Sequence, residues 1–457
     1  MLRGAPAGPP DGRTDRMTTL LSTPKAWPRI LLEQADAANP ADLDAAVAGG
    51  AFEGLRSAIR ELGPTGVIAT ISASGLRGRG GAGYPTGEKW RTAATTEARR
   101  RYVVANGYGA DPAVRTDREL LARDPFRVLE GLAIAAHAIG ASEAIVAVRS
   151  EDVDLIASLE AAIGAAEDAG FLGFDLFDSG FDLNVTVRGV QGAYLLGEET
   201  ILLKALEGKR GQPEQRPPHP AERGLNGMPT VVQNIQTLAA IPWIVRHGAE
   251  AFAAIGAKDS PGTILVQVRG PARQGIAEVP LGTKLRDIVA LGGKPADGHG
   301  LKAVLVGGPS GGLLPASMLD TPYTFAALRE AGAHIGSGSV IVADERTCIV
   351  DLARVLTRYC ADESCGKTIP CRIGTRRLSE IGDRTAAGTT APTDLTLMTD
   401  LSHDIVASAL CDHERLATLP FASGMRYFGD ELEAHIARST CPAGVCHPIA
   451  VAVGATH

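Results

Sequence analysis

The sequence has few aromatic residues, no long apolar run and no strong excess of one charge. Aromatic residues make up 4% of the 457 residues, and the formal net charge is −7. Apolar-rich stretches fall short of the ~18–20 residues of a membrane span. An example is residues 129–141, a stretch that is also interrupted by His137 and by glycine. A modest acidic charge gives no reason to expect a nucleic-acid partner. We therefore expect a protein with no direct membrane span that does not bind nucleic acid.

Cysteine is also scarce, with seven residues in the chain and none before Cys348. Five of them lie between Cys348 and Cys411, while Cys441 and Cys446 follow near the C-terminus. Thiols clustered in this way favour metal chemistry in a reducing compartment over a disulfide framework. The distribution therefore predicts a cytoplasmic protein.

The N-terminus lacks the apolar core of a signal peptide. Residues 1–16 are instead rich in glycine, proline, arginine and aspartate. We expect residues 1–40 to form a disordered or extended tail, with Met17 as an alternative start.

Glycine is abundant, with 54 residues, and the length suffices for about three domains. Short apolar runs at residues 102–105 and 144–148 suggest buried strands, whereas residues 152–170 have the spacing of an amphipathic helix. Such alternation predicts a parallel sheet with helices on both faces. The predicted units are an α/β domain over residues 41–250, a unit of short strands over 258–342, a helical domain over 343–440 and a Cys-containing tail over 441–457.

The segment from Glu363 to Arg372 has the cysteine spacing of an iron–sulfur cluster loop with one position altered. A [4Fe–4S] cube is held by four thiolates, and three here are Cys365, Cys371 and Cys411. Thr368 occupies the second ligand position, and a threonine hydroxyl is a poor ligand for a soft metal. Either a fourth ligand comes from elsewhere, such as Cys360 or a hydroxyl or water beside Thr368, or no cluster binds.

This loop resembles the cluster motif of the family of flavin-carrying, NADH-oxidising subunits found in respiratory complex I and in NAD-linked hydrogenases and formate dehydrogenases. The resemblance runs from about Gly75 to Cys446 and includes four further segments, 75–87, 197–200, 207–211 and 306–312. It implies an α/β fold with a parallel-sheet FMN-binding domain, a small ubiquitin-like β-grasp module over residues 258–342 and a C-terminal helical bundle of the iron–sulfur type.

The glycine-dense loop from Gly78 to Gly83 lets backbone N–H groups approach a phosphate closely, and the positive side chains around it supply charge. The resemblance implies that this loop holds FMN. It also assigns flavin contacts to residues 106–111 and 232–237, where Tyr108 and Gly109 replace two carboxylates. The predicted cofactor-binding residues are Gly78, Arg79, Gly80, Gly81, Gly83, Lys89, Asn106, Asp111, Asn234 and Thr237.

The resemblance implies a second site, for NAD(P)H, next to the flavin. Glu198 and Glu199 match its carboxylates, and Glu199 is the residue we expect to act in catalysis as a ribose or nicotinamide partner. His219 stands where relatives have an aromatic residue that stacks on adenine, while Lys209 and Arg216 are candidate phosphate partners. The sequence leaves open whether the dinucleotide is NADH, NADPH or neither.

A separate group of cysteine and histidine residues lies towards the C-terminus. Cys348, His435, Cys441 and Cys446 form a Cys₃His set, which suits structural zinc. The alternative is a set of ordinary thiols in the tail.

The leading functional hypothesis is an FMN-dependent NAD(P)H oxidoreductase, or diaphorase, subunit that passes electrons to an iron–sulfur subunit of a multisubunit redox complex. One alternative is a structural docking subunit that keeps the fold and FMN but does not oxidise NADH. Another is flavin chemistry with a different hydride carrier, since Tyr108 and His219 change the pocket.

Overall fold

The structure, a computed structural model, describes residues 17–36, 39–294 and 298–446. A four-stranded parallel sheet forms its first part, in the order β3-β2-β1-β4. The runs predicted at residues 102–105 and 144–148 are confirmed as strands of this sheet. The strands are β1 Tyr102–Asn106, β2 Glu143–Arg149, β3 Asn184–Val190 and β4 Thr230–Asn234.

Helices cover this sheet because their apolar residues share one buried core with the strands. The helix α6, with 14 of its residues buried, lies at the centre of that core, and Asp124 caps its start through a side-chain bond to the backbone N–H of Arg127. The helix predicted over residues 152–170 is confirmed as α7. The helices are α1 Leu43–Ala48, α2 Glu53–Ser57, α3 Gly63–Ala73, α4 Thr86–Thr95, α5 Thr116–Arg123, α6 Pro125–Ile139, α7 Val153–Asp168, α8 Glu199–Leu206, α9 Ile235–His247 and α10 Ala249–Ala253.

A second sheet of five strands follows a small hairpin of β5 (Gly256–Ala257) and β6 (Ser260–Pro261). Its order is β10-β9-β11-β7-β8, with β7 antiparallel to β8 and parallel to β11. A hairpin, a helix packed on its face and a last strand parallel to the first form the ubiquitin-like β-grasp that the resemblance implied. The elements are β7 Thr263–Arg269, β8 Gln274–Pro280, α11 Leu285–Leu291, β9 Leu301–Val306, β10 Gly312–Pro315, α12 Phe325–Glu330 and β11 Ser339–Asp344.

The C-terminal part is helical, as its periodicity predicted. Its core joins apolar residues of these helices to strands β9 and β10, so the bundle packs directly on the β-grasp sheet. The helices are α13 Ile349–Asp362, α14 Arg376–Ala386, α15 Asp394–Ala407, α16 Asp412–Leu416, α17 Leu419–Tyr427 and α18 Gly429–Arg438, with a π-helical turn at Pro370–Thr375. Within the described ranges, no helix combines the length and the apolar character needed to cross a membrane.

Residues 17–36 are packed against the protein, so of the two alternatives expected for residues 1–40, a disordered or an extended tail, the disordered one does not hold for this part. Ile30 and Leu31 are each 1% exposed. Their backbone N–H groups both donate to one carboxylate oxygen of Glu278 on β8, at 2.8 Å, and Leu32 donates to the other at 2.9 Å. The segment is therefore tied to the β-grasp sheet, while residues 1–16 lie outside the described ranges.

Candidate functional site

Two asparagines mark the carboxyl edge of the parallel sheet. Asn106 ends β1, Asn234 ends β4, and the two are register partners. The chain runs outward from β1 through β2 to β3, and then returns to place β4 on the other side of β1, so the strand order reverses between β1 and β4. In open parallel sheets, ligands bind at such a reversal, outside the carboxyl ends of the strands. The topology therefore places a ligand crevice beside these asparagines.

The glycine loop lies beside this crevice. Gly78 donates its backbone N–H to the carbonyl oxygen of Tyr84 at 2.9 Å, which closes the loop. Gly80 is exposed, and a Cβ added there would lie 3.4 Å from the Cβ of Asn234, with no second neighbour within 4 Å among the described residues. Gly80 thus presents a bare backbone toward the crevice, as close approach of a cofactor requires.

Gly81 and Gly83 are required for a different reason. Their φ angles are +110° and +67°, in the region that favours glycine. A Cβ on Gly81 would lie 3.1 Å from the carbonyl oxygen of Gly336, and one on Gly83 would lie 2.6 Å from the ring of Phe325. Both glycines therefore allow the loop to pack on the β-grasp unit.

The side chain of Arg79 points into the protein, which corrects the expectation that its guanidinium faces a phosphate. The residue is 1% exposed, and its side chain donates to the carbonyl oxygens of Thr263 at 3.0 Å and Pro261 at 2.6 Å. Burial, with a smaller effect of the Arg77 charge, lowers the pKa of Arg79 to about 9. The backbone N–H of Arg79 donates to the hydroxyl of Thr237 at 2.8 Å. Arg79 and Thr237 therefore hold the glycine loop in place.

Asp111 also lies at an internal contact, and its expected role in touching flavin stays a prediction. One carboxylate oxygen accepts a hydrogen bond from the Ser337 hydroxyl at 2.5 Å, and the other accepts the N–H of Ala113 at 2.8 Å. The carboxylate oxygen that accepts from Ser337 also lies so close to Gly308 that a Cβ would not fit there. Burial raises the pKa of Asp111, and these hydrogen bonds offset it only in part. Asp111 therefore joins the parallel-sheet domain to the β-grasp unit.

Asp117 on α5 is a residue of this edge that sequence patterns did not reveal. Its two carboxylate oxygens accept hydrogen bonds from the side-chain amides of Asn234, at 2.6 Å, and Gln236, at 2.9 Å. The side-chain oxygen of Asn234 accepts the backbone N–H of Gln236 and so caps α9. Burial raises the pKa of Asp117. Asn234 is thus oriented by both α5 and α9.

An ion-pair group crosses the edge between α4 and α8. The ammonium of Lys89 lies 2.8 Å from a carboxylate oxygen of Glu199 and also donates to the carbonyl oxygen of Val232. The other carboxylate oxygen of Glu199 lies 3.4 Å from the guanidinium of Arg216. Although burial alone would raise the pKa of Glu199, the charges of Lys89 and Arg216 outweigh it and lower the pKa. Both Lys89 and Glu199 keep about a fifth of their side-chain surface, at 20% and 19%.

Glu198 has a structural part in the same group. Its carboxylate accepts the backbone N–H groups of Thr200 and Ile201, each at 2.9 Å, and so caps α8. It also pairs with Arg216. The side-chain amide of Asn106 donates to the carbonyl oxygen of Gly197 at 3.2 Å, which brings this turn to the end of β1. The two glutamates therefore lie beside the crevice. Glu199 is the one that forms ion pairs with both Lys89 and Arg216.

His219 and Tyr108 differ in their access to this group. His219 is exposed and lies near enough to Glu199 for its charge to lower the pKa of that carboxyl. Tyr108 is 1% exposed, with the Arg149 guanidinium 4.6 Å from its ring centroid. Tyr108 is thus packed among core residues, and its effect on the pocket stays a prediction. Lys209 forms its ion pair with Glu207 at 2.8 Å.

The three thiols of the predicted cluster loop lie close enough to influence one another. Cys371, on the π-helical turn, and Cys411, just before α16, both have their pKa raised, to about 11 and about 12. Burial is the largest cause for each, and the charge of Cys365 adds to it. The Ser364 hydroxyl lies 3.1 Å from the Cys371 sulfur. One buried and two partly buried cysteines, from one loop and one helix start, suit an iron–sulfur cube.

The hydroxyl of Thr368 already has a hydrogen-bond partner outside the loop. Its Oγ1 donates to a carboxylate oxygen of Glu414, on α16, at 2.8 Å. Glu414 was missed from the sequence, where its only signal is its position three residues after Cys411. Cys360, the cysteine expected to be the first substitute ligand, is fully buried and directs its thiol to the carbonyl oxygen of Pro309 at 3.7 Å.

The predicted Cys₃His residues come together. The ligand atoms of Cys348, His435, Cys441 and Cys446 all lie within 4.8 Å of one another. The Nδ1 of His435 lies 2.8 Å from the carbonyl oxygen of Glu431, a partner that only an N–H can serve, so Nε2 carries the lone pair and faces the group, 3.5 Å from the Cys348 sulfur. Three cysteine thiols and one imidazole, whose other ring nitrogen is held by a carbonyl oxygen, suit a tetrahedral zinc ion.

Two sequence families match the chain over its flavin and cluster regions. The Nuo51 FMN-binding domain matches residues 71–243, and the iron–sulfur binding region of NADH-ubiquinone oxidoreductase-F matches residues 351–435. The HndC chain of the NADP-reducing hydrogenase of Solidesulfovibrio fructosivorans is 40% identical over 93% of this chain and 87% of its own length. The chain belongs to this family of flavin-carrying subunits.

A second relative and a solved structure are also similar over most of this chain. The F 2 chain of the NADH-quinone oxidoreductase of Rhizobium meliloti is 38% identical over 90% of this chain and 99% of its own length. The crystal structure of an NAD⁺-reducing [NiFe]-hydrogenase in the H₂-reduced state aligns with a TM-score of 0.80 at 33% identity, covering 92% of this chain and 68% of that one. The resemblance and the fold class predicted from the sequence are therefore confirmed.

Proposed function

We propose that the chain is the FMN-carrying subunit of a multisubunit redox complex, where it oxidises NADH or NADPH and passes electrons to an iron–sulfur partner. The observation that carries this proposal is the Lys89–Glu199–Arg216 group beside the bare backbone of Gly80, at the reversal of strand order. The match to an FMN-binding domain over the same residues supports it. FMN, when bound, accepts a hydride and releases the electrons one at a time.

The residues at the edge have separate tasks in this proposal. Gly80 admits the cofactor to the backbone, and Lys89 supplies a positive charge beside it. The Glu199 carboxylate retains lone pairs beyond its two ion pairs, so it accepts hydrogen bonds from ribose hydroxyls of the dinucleotide. The exposed ring of His219 offers a face for adenine. Asp117, Arg79 and Thr237 keep the loop and Asn234 in position.

The family and the thiols support a proposal for the partner and for the compartment. Relatives are named as subunits of an NADP-reducing hydrogenase and of NADH-quinone oxidoreductases. We infer an iron–sulfur electron-transfer subunit as the acceptor for this chain. All seven cysteines are free, which suits the reducing cytoplasm.

A turnover assay tests the proposal directly. FMN-loaded protein, mixed with NADH or NADPH and the one-electron acceptor ferricyanide, is expected to reduce ferricyanide in proportion to its FMN content. The same protein stripped of FMN serves as the control, because the two samples have the same sequence and differ in the cofactor. FMN-loaded protein that shows no turnover with either dinucleotide would support a docking subunit instead.

Zinc analysis gives a second prediction, at the Cys₃His group. We expect about one zinc per chain, and Cys446→Ser to weaken zinc binding at least about tenfold because it removes a thiolate ligand. The matched control is Cys365→Ser, which makes the same change in the cluster loop and leaves zinc content as in the wild type. Equal zinc in the two variants would show that the group does not hold the metal.

A further inference from the structure

We propose that Glu414 is the fourth protein ligand of the iron–sulfur cube, at the corner where Thr368 leaves no thiolate. The proposal rests on the cluster that the proposed function requires, and it deepens that function by naming the ligand set as Cys365, Cys371, Cys411 and Glu414. Such a set replaces one thiolate by a carboxylate.

The position of Glu414 between the ligand-bearing segments is the first support. Its side chain accepts the Thr368 hydroxyl at 2.8 Å, from the residue at the altered ligand position. It lies on α16, three residues after Cys411, which directly precedes that helix. One residue is therefore in contact with the altered position and on the same short helix start as one of the three thiols.

The burial of Glu414 is the second support. The residue is 1% exposed, and within residues 17–36, 39–294 and 298–446 no ion pair is formed with its carboxylate. Buried charges are ordinarily paired or coordinate a metal. The carboxylate accepts two hydrogen bonds, from Thr368 and from the Leu410 N–H at 2.8 Å, which leaves about two of its four lone-pair positions for iron.

The chemistry of the donors decides between the available groups. Carboxylate oxygen is an accepted ligand of iron in non-haem sites, whereas a neutral threonine hydroxyl is a weak one. Cys360, the other candidate, directs its thiol to the carbonyl oxygen of Pro309 instead. Thr368 then has a supporting task, because its hydroxyl donates to the carboxylate and fixes its orientation.

Iron analysis after anaerobic reconstitution with iron and sulfide tests the assignment. The wild type is expected to hold about four irons per chain, and Glu414→Gln about three, with the electron paramagnetic resonance signal of a three-iron cluster after mild oxidation. Glu414→Cys, which offers a thiolate from the same position, is expected to restore about four irons and to lose them to a chelator more slowly than Glu414→Gln.

Thr368→Val is the matched control, since it removes the hydroxyl and keeps the carboxylate. It is expected to keep about four irons per chain. Glu414→Gln with the iron content and chelator resistance of the wild type would overturn the assignment, as would three irons in Thr368→Val together with four in Glu414→Gln. Wild-type protein that takes up no iron would also overturn it. FMN content and NADH turnover of the same samples report separately on the proposed function.

Discussion

Replacing Gly80 with valine is expected to weaken FMN binding by up to about a hundredfold while leaving the thermal midpoint close to that of the wild type. The added side chain enters the crevice beside Asn234, where the described residues leave it room, so the fold accepts it and the cofactor does not. Overpacking of a filled site costs about 1–3 kcal/mol, which corresponds to this loss of affinity. Fluorescence titration of the stripped protein with FMN measures the change.

The matched control is Gly164→Val on the helix α7. It makes the same substitution where no neighbour lies within 4 Å among the described residues, far along the chain from the loop. FMN affinity is expected to stay at the wild-type value in this variant. Wild-type affinity in Gly80→Val as well would contradict the placement of the cofactor against this backbone.

Removal of the Glu199 carboxylate is expected to raise the KM for NAD(P)H roughly ten- to a hundredfold, with FMN content unchanged. Loss of a charge-assisted hydrogen bond costs about 1.5–3 kcal/mol. In Glu199→Ala, Lys89 keeps its hydrogen bond to the carbonyl oxygen of Val232 and Arg216 keeps its ion pair with Glu198, so the cationic side of the crevice stays in place. Steady-state turnover with ferricyanide gives KM and kcat for both dinucleotides.

Glu88→Ala is the control for this substitution, because Glu88 precedes Lys89 on the exposed side of α4. The substitution removes one negative charge, as Glu199→Ala does, but next to Lys89 on the exposed side of the helix. It is expected to leave the KM unchanged. A Glu199→Ala variant with wild-type KM for both NADH and NADPH would place the dinucleotide elsewhere.

Local patterns in the sequence predicted the elements and the edge of the site. Apolar runs predicted β1 and β2, helical spacing predicted α7, and the glycine loop and Glu199 lie at one sheet edge. The four residues of the Cys₃His group are brought together although Cys348 and His435 stand 87 positions apart. The strands, the helix and the Cys₃His set follow from residue type and period, whereas the roles of the glycine loop and Glu199 were implied by the resemblance to the family.

The direction of individual side chains was not predictable in the same way. Arg79 and Asp111 have the charge that suits a cofactor, but tertiary contacts with the β-grasp unit turn both inward. Asp117 and Glu414 act through partners in other parts of the chain, and nothing in their local sequence indicates those partners. Packing between domains decides these roles, and a single sequence does not show it.

The most direct measurement of the central claim is anaerobic titration of the FMN-loaded protein with NADH and, separately, with NADPH, followed by flavin absorbance. We expect at least one of the two to bleach the bound flavin, with the loss reaching completion near one dinucleotide per FMN. Flavin that stays oxidised with an excess of both, in protein that retains its FMN, would contradict hydride transfer on this chain.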